Sequence, residues 1–263
     1  MTSIEFENGQ LFYSKRGSGK EILIAFHGFG QDNTIFEPWI KTLSNDYTIF
    51  AFDLFHHGKS HRPNLPLSKE EWKELFDEFL AREQIDRFTV IGFSLGGRFA
   101  ITTSLSFYDK IDQLYLIAPD GIFLTIWFKL ATHSMTRWLF KYLMLNPEKL
   151  DRLITINERL RIVSPYIGDF VKKEFGDAAN RKRVYVSWNH FKTIGYKRRE
   201  LIQLFNKHSF DRTIILGGKD QVIRPNQILP IIKKMGGFNV NVLPLKHHQL
   251  VKSEDTIHLL KSD

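Results

Sequence analysis

The 263-residue chain contains no cysteine. That absence excludes disulfides, thiolate-bound zinc, iron–sulfur clusters and a thiol nucleophile together. Proline and glycine are scarce, at 9 and 17 residues, too few for a collagenous or low-complexity chain. Long hydrophobic runs are lacking too. The densest apolar stretch, Gly121 to Leu145, is interrupted by Lys129, His133, Arg137 and Lys141 and falls short of the roughly 18 continuous apolar residues of a membrane span. Met1 to Gln10 carries Glu5 and Glu7 and has neither a basic leader nor an apolar segment of signal-peptide length. The expectation is a soluble, cytoplasmic protein. The sequence also lacks a G-x-G-x-x-G, the glycine spacing of a phosphate-binding P-loop and a His-Glu-x-x-His, so it gives no reason to expect a nucleotide, a metal or any other cofactor.

What is present is the material of a packed globular protein, 43% hydrophobic and 25% charged. Ile4 to Tyr13 alternates around Asn8-Gly9, a dipeptide suited to a hairpin turn. Short apolar runs of buried-strand character follow at Ile22–Phe26, Tyr47–Leu54, Phe88–Phe93 and Leu114–Ala118, and further strands are expected at Thr213–Leu216 and Val240–Leu245. Helical patterns separate them: Ile35–Leu43, Ser68–Ile85, Ser94 to about Tyr108, Asn226–Met235 and Gln249–Leu260. Ser68 followed by Glu71 has the spacing of a capping box. Strands alternating with helices predict an α/β fold with a mostly parallel central sheet covered on both faces.

The alternation stops between Gly121 and His208, where helical patterns dominate and aromatic residues such as Phe128, Trp138, Phe140 and Trp188 accumulate. This stretch carries 17 Lys and Arg against 7 Asp and Glu, a net of +10 within a chain of +8. The organisation expected is a core of residues 1–120 and 209–263 with a basic helical cap at 121–208.

The strongest chemical signal is Gly92-Phe93-Ser94-Leu95-Gly96, a G-x-S-x-G between a predicted strand and a predicted helix. A sharp strand-to-helix turn lifts the Ser94 hydroxyl clear of the sheet, and the glycines leave room for neighbouring backbone. The Leu95 amide, at the helix N-terminus, is aimed where negative charge would develop.

With this motif the chain resembles the α/β-hydrolase superfamily over Ile22–Asp120 and Thr213–His248. His27-Gly28-Phe29-Gly30 is similar to that family's oxyanion loop, which implies the Phe29 amide as a second donor beside Leu95. Gly217-Gly218-Lys219-Asp220 is similar to its acid loop and implies Asp220 as the carboxylate that orients the base, with Asp120 in reserve. The base is expected in Lys246-His247-His248-Gln249. The family commonly has Gly-His at this place, so the resemblance favours His248, with His247 in the glycine position and retained as the alternative. Asp53-Leu54-Phe55-His56-His57-Gly58-Lys59-Ser60 follows a further family loop, with His56 where glycine is usual.

The function implied is a serine hydrolase that cleaves a carboxylic ester or related acyl bond through an acyl-enzyme, acting on a small-molecule substrate, apolar or anionic. Ser94-Leu95-Gly96-Gly97-Arg98 is also similar to the menaquinone-pathway synthases of the superfamily. There the same triad eliminates pyruvate and Arg98 would bind a substrate carboxylate. A catalytically silent binding protein is the third reading. The basic cap would suit an anionic substrate or peripheral contact with an anionic membrane, and an ordinary solvated basic face accounts for it as well. No nucleic-acid recognition module is present, and no nucleic-acid partner is expected.

Overall fold

The computed structural model describes residues 1–6, 9–63, 66–123, 126–159, 168 and 176–261. An eight-stranded sheet runs through it: β1 (Thr2–Phe6), β2 (Gly9–Arg16), β3 (Glu21–Phe26), β4 (Tyr47–Phe52), β5 (Phe88–Phe93), β6 (Ile111–Ile117), β7 (Asp211–Gly217) and β8 (Asn239–Leu243). Their order is β1-β2-β4-β3-β5-β6-β7-β8. β1 and β2 pair antiparallel, as does β2 with β4, and the remaining pairs are parallel. β1 and β2 form the expected hairpin, while Asn8 of the expected turn lies outside the described residues. β3 lies between β4 and β5, so the crossover from β3 to β4 and the one from β4 back to β5 run in opposite directions across the sheet. The carboxyl ends of β3 and β5 thereby flank a switch point, where open α/β sheets place their ligands.

The helices of the sheet-bearing part are α1 (Glu37–Leu43), α2 (Lys69–Glu83) and α3 (Gly96–Ser106). Ser68 caps α2 through the expected box: its hydroxyl accepts from Glu71 N–H, and the Glu71 carboxylate accepts from Ser68 N–H at 2.6 Å. The core here is aromatic. Phe26 of β3 meets the Trp72 ring edge-on at 5.7 Å, Trp72 meets Phe99 at 4.9 Å, and Phe52 meets Phe79 at 4.9 Å. The Trp72 indole N–H, which burial would otherwise strand, donates to Thr103 Oγ1 at 3.0 Å.

The chain divides by its contacts into two units, residues 1–63, 67–123 and 193–263, and residues 64–66 and 124–192. The second holds α4 (Ile126–Thr132), α5 (Arg137–Leu145), α6 (Pro147–Arg159) and α7 (Ala178–His190). Trp188 of α7 anchors it, stacking on Phe140 at 5.5 Å and meeting Phe128 at 5.7 Å. This unit is narrower than residues 121–208. α8 (Arg198–Lys207) groups with the sheet: it packs on α9 (Pro225–Met235), where Asn206 donates to Lys234 O at 3.2 Å, and its Leu201 and Phe205 are buried.

The expected closing helix is two helices, α10 (His247–Leu250) and α11 (Glu254–Lys261). The chain breaks at Val251, whose carbonyl accepts from the Trp39 indole N–H at 2.6 Å.

Candidate active site

The turn after β5 is built from close backbone approaches. A Cβ on Gly96 would stand 2.0 Å from Phe26 O, and one on Gly92 2.5 Å from Gly96 O, so only glycine fits at either place. Ser94 between them holds φ at +49°, a left-handed conformation that side chains other than glycine seldom adopt. The turn is pinned by hydrogen bonds: Ser94 N–H donates to Ile117 O at 3.0 Å, while Ser94 O accepts from Asp120 N–H at 2.8 Å and Gly97 N–H at 2.9 Å.

Asp220 follows β7 and its side chain is fully buried. One carboxylate oxygen accepts from the N–H groups of Val222 and Ile223 at 2.8 and 2.9 Å. The other stands 2.6 Å from His247 Nδ1. His247 Nε2 is 3.0 Å from Ser94 Oγ, and its ring lies 5.1 Å from that of Phe93. With Nδ1–H donating to Asp220, Nε2 is left to accept the Ser94 hydroxyl proton. These are the contacts a general base needs toward its nucleophile and its orienting anion.

The geometry corrects the expected base. His248 is exposed and His247 is buried, the reverse of what the family's Gly-His pattern implies. Neighbouring residues at a helix start point about 100° apart, so one histidine can face Ser94 while the other faces away. The N-terminal residue of α10 is the inward one.

Arg98 is corrected as well. Its guanidinium is buried and forks onto Asp120, Nε to Oδ2 at 2.6 Å and Nη2 to Oδ1 at 3.1 Å, with Nη1 donating to Ile194 O at 3.4 Å. Arg98 therefore serves the Asp120 carboxylate within the fold instead of presenting itself to a substrate. The same pairing removes Asp120 as the reserve orienting acid.

Phe29 sits in the loop after β3. A Cβ on Gly28 would lie 3.0 Å from the Phe93 ring, which places this loop against the end of β5 and the turn bearing Ser94 and Leu95. Gln31 fixes the loop by accepting Gly28 N–H at 3.0 Å. His27, fully buried, fixes it further: Nδ1 donates to Gly28 O at 2.6 Å and Nε2 accepts Leu54 N–H at 3.0 Å. Burial pushes the His27 imidazole down to about 4, against smaller opposing effects of the Gly28 carbonyl and Asp32. It is neutral at pH 7.

Sequence reasoning missed the role of Asp53 in the next loop. Its buried carboxylate accepts Asn33 N–H at 2.8 Å, the Asn33 amide at 2.6 Å and Lys59 N–H at 2.9 Å. His56, in the place where the resemblance has glycine, holds φ at +67°. No group of three or more His, Asp or Glu is placed to hold a metal ion, among the described residues. Among the described residues no helix is long and apolar enough to cross a membrane. A groove of about 660 Å³ beside Lys219, Arg224 and Lys246 follows the acid loop and is not lined by Ser94 or His247.

Comparison with known proteins agrees with this architecture. The model of the alpha/beta hydrolase fold family matches residues 21–262. A pimeloyl-[acyl-carrier protein] methyl ester esterase of Wigglesworthia glossinidia brevipalpis is 26% identical over 248 residues, covering 90% of each chain. A 1-acylglycerol-3-phosphate O-acyltransferase of Rattus norvegicus is 31% identical over 115 residues, 42% of this chain and 33% of that one. The chain thus spans about a third of the length of several curated relatives it matches. A thermophilic esterase from Thermogutta terrifontis superposes with a TM-score of 0.71 at 14% identity, covering 97% of this chain and 92% of that one. With the strand-to-helix turn at Ser94, the sheet order and the family match in agreement, this chain belongs to the alpha/beta hydrolase fold family.

Proposed function

We propose that the chain is a serine esterase that cleaves a carboxylic ester or related acyl bond through an acyl-enzyme. The observation that carries this reading is the continuous line from Asp220 through His247 to Ser94, at 2.6 and 3.0 Å. Ser94 Oγ attacks the carbonyl carbon as its proton passes to His247 Nε2. Asp220 stabilises the imidazolium and holds its tautomer. The amides of Phe29 and Leu95 receive the oxyanion. His247 then protonates the departing alkoxide, and a water activated by the same nitrogen releases the acid and restores Ser94. Similarity over nine-tenths of both chains to an esterase supports this assignment.

The pyruvate-eliminating alternative required Arg98 to grip a substrate carboxylate, and its fork on Asp120 withdraws that support. A fluorophosphonate probe separates esterase from silent binding protein. Adduct formation at Ser94, lost in His247→Ala and kept in His248→Ala, is the expected result. A folded wild-type protein that fails to label overturns the activated serine. Labelling that depends on His248 overturns the assignment of the base.

A further inference from the structure

α5 is apolar on two opposite faces. Phe140 and Met144 are buried, Phe140 against Trp188 and Tyr185 of α7. At 3.6 residues per turn, Trp138, Tyr142 and Leu145 fall on one stripe on the other side, and they are 67%, 41% and 71% exposed. Leu139 widens the stripe, and Met135, in the turn before the helix, extends it with 75% exposure. Clustered exposed apolar side chains of this kind mark an interaction surface.

Around the stripe, the charges on α5 carry one sign. Arg137 and Lys141 flank it on the helix and are exposed, as is Lys129 on α4. The Lys149 ammonium stands over the Tyr142 ring at 4.7 Å and donates to its hydroxyl. No Asp or Glu occurs from Gly121 to Pro147, and the acids of α6 begin at Glu148. Tryptophan, tyrosine and leucine edged by Lys and Arg form the composition that settles into an anionic lipid interface, rings at headgroup depth and ammonium groups on phosphates. A second copy of the same face would bring like charges together, which disfavours self-association.

We propose that the outer face of α5, with Met135, docks on an anionic phospholipid surface. This docking stands apart from the reaction proposed above and is tested without it. The intact protein is sedimented with vesicles of phosphatidylcholine alone and of phosphatidylcholine with about one part in three phosphatidylglycerol. Binding is expected on the anionic vesicles and is expected to weaken toward about 1 M salt, where the screening length is about 3 Å. The double variant Trp138→Ala/Leu145→Ala is expected to lower partitioning about tenfold or more, through lost apolar area. Arg137→Gln/Lys141→Gln is expected to lose the preference for anionic over neutral vesicles. All four side chains are exposed, and circular dichroism confirms that the variants remain folded. Equal binding to both vesicle types, or variants that bind as the wild type does, overturns the proposal. So does a concentration-dependent dimer, formed without lipid and abolished by Trp138→Ala/Leu145→Ala, which assigns the face to a second copy.

Discussion

His27 makes the fold sensitive to acid in a pH range that carboxylates leave alone. Its ring is fully buried, and its unprotonated Nε2 accepts the Leu54 N–H. A proton added there would confront one donor with another in a site without water contact. Above pH 6.5 neither folded nor unfolded chain charges this residue, so it costs nothing. Below 6.5 the unfolded chain takes up a proton that the folded one refuses until about 4. Stability therefore falls as pH falls through this window. At 1.36 kcal/mol per pH unit, the whole gap amounts to about 3 kcal/mol, and the part lost between pH 7.5 and 5 to about 2 kcal/mol. His208 is shifted in the same direction, first by burial and then by Lys207, but is only half-buried and adds less. Asp32, Glu71 and Glu83, held below their ordinary carboxylate values, lose their contributions only at lower pH. Urea unfolding at pH 7.5 and pH 5, followed by circular dichroism, measures the difference. His27→Gln, whose amide oxygen can accept Leu54 N–H but does not titrate, is expected to flatten it. A wild type equally stable at both pH values, or a variant that keeps the full slope, refutes the reasoning.

Asp220→Asn is expected to lower kcat by about ten-thousandfold with little change in KM, because an amide can hold the wrong histidine tautomer; ester hydrolysis kinetics measure this. Arg98→Ala strands the Asp120 carboxylate and is expected to cost about 2–3 kcal/mol in urea unfolding, less than at a fully buried pair because Asp120 keeps some contact with water. A selective loss of activity on anionic esters without that destabilisation would return Arg98 to substrate binding. Gly96→Ala drives a Cβ into the Phe26 backbone and is expected to abolish soluble expression or to cost more than about 4 kcal/mol, whereas Gly218→Ala, with neighbours at 3.4 Å or beyond, leaves the thermal midpoint nearly unchanged.

The parts of this architecture that were legible in the sequence are those in which backbone geometry dictates residue type. The turn at Ser94 needs glycine on both sides because carbonyls crowd it, so the motif marks its own conformation. The central strands β3 to β7 were legible from short apolar runs, which strands buried on both faces require, whereas β8 is an exposed edge strand. Choice among chemically equal neighbours was hidden. His247 and His248 differ only in the side of α10 they occupy, which depends on how Lys246 enters the helix. The fate of Arg98 was hidden for a related reason, since its partner stands 22 residues away across a strand. His56 shows that the backbone demand of a turn can outlast the residue type that usually meets it. Its φ of +67° occupies the place where the resemblance implied glycine.

Ser94 and His247 are 153 residues apart in the chain, and the Trp39 contact behind α10 spans 212. In the proposed esterase, nothing local to the turn at Ser94 can make its hydroxyl reactive, because His247 reaches it only once α10 is seated on the sheet. Contacts this distant in sequence slow folding, because the entropy of closing the loop must be paid before they form. Covalent capture of Ser94 during refolding would then report when this long-range contact is made, whereas circular dichroism reports the helices. Any delay between the two signals would time the arrival of His247 at Ser94.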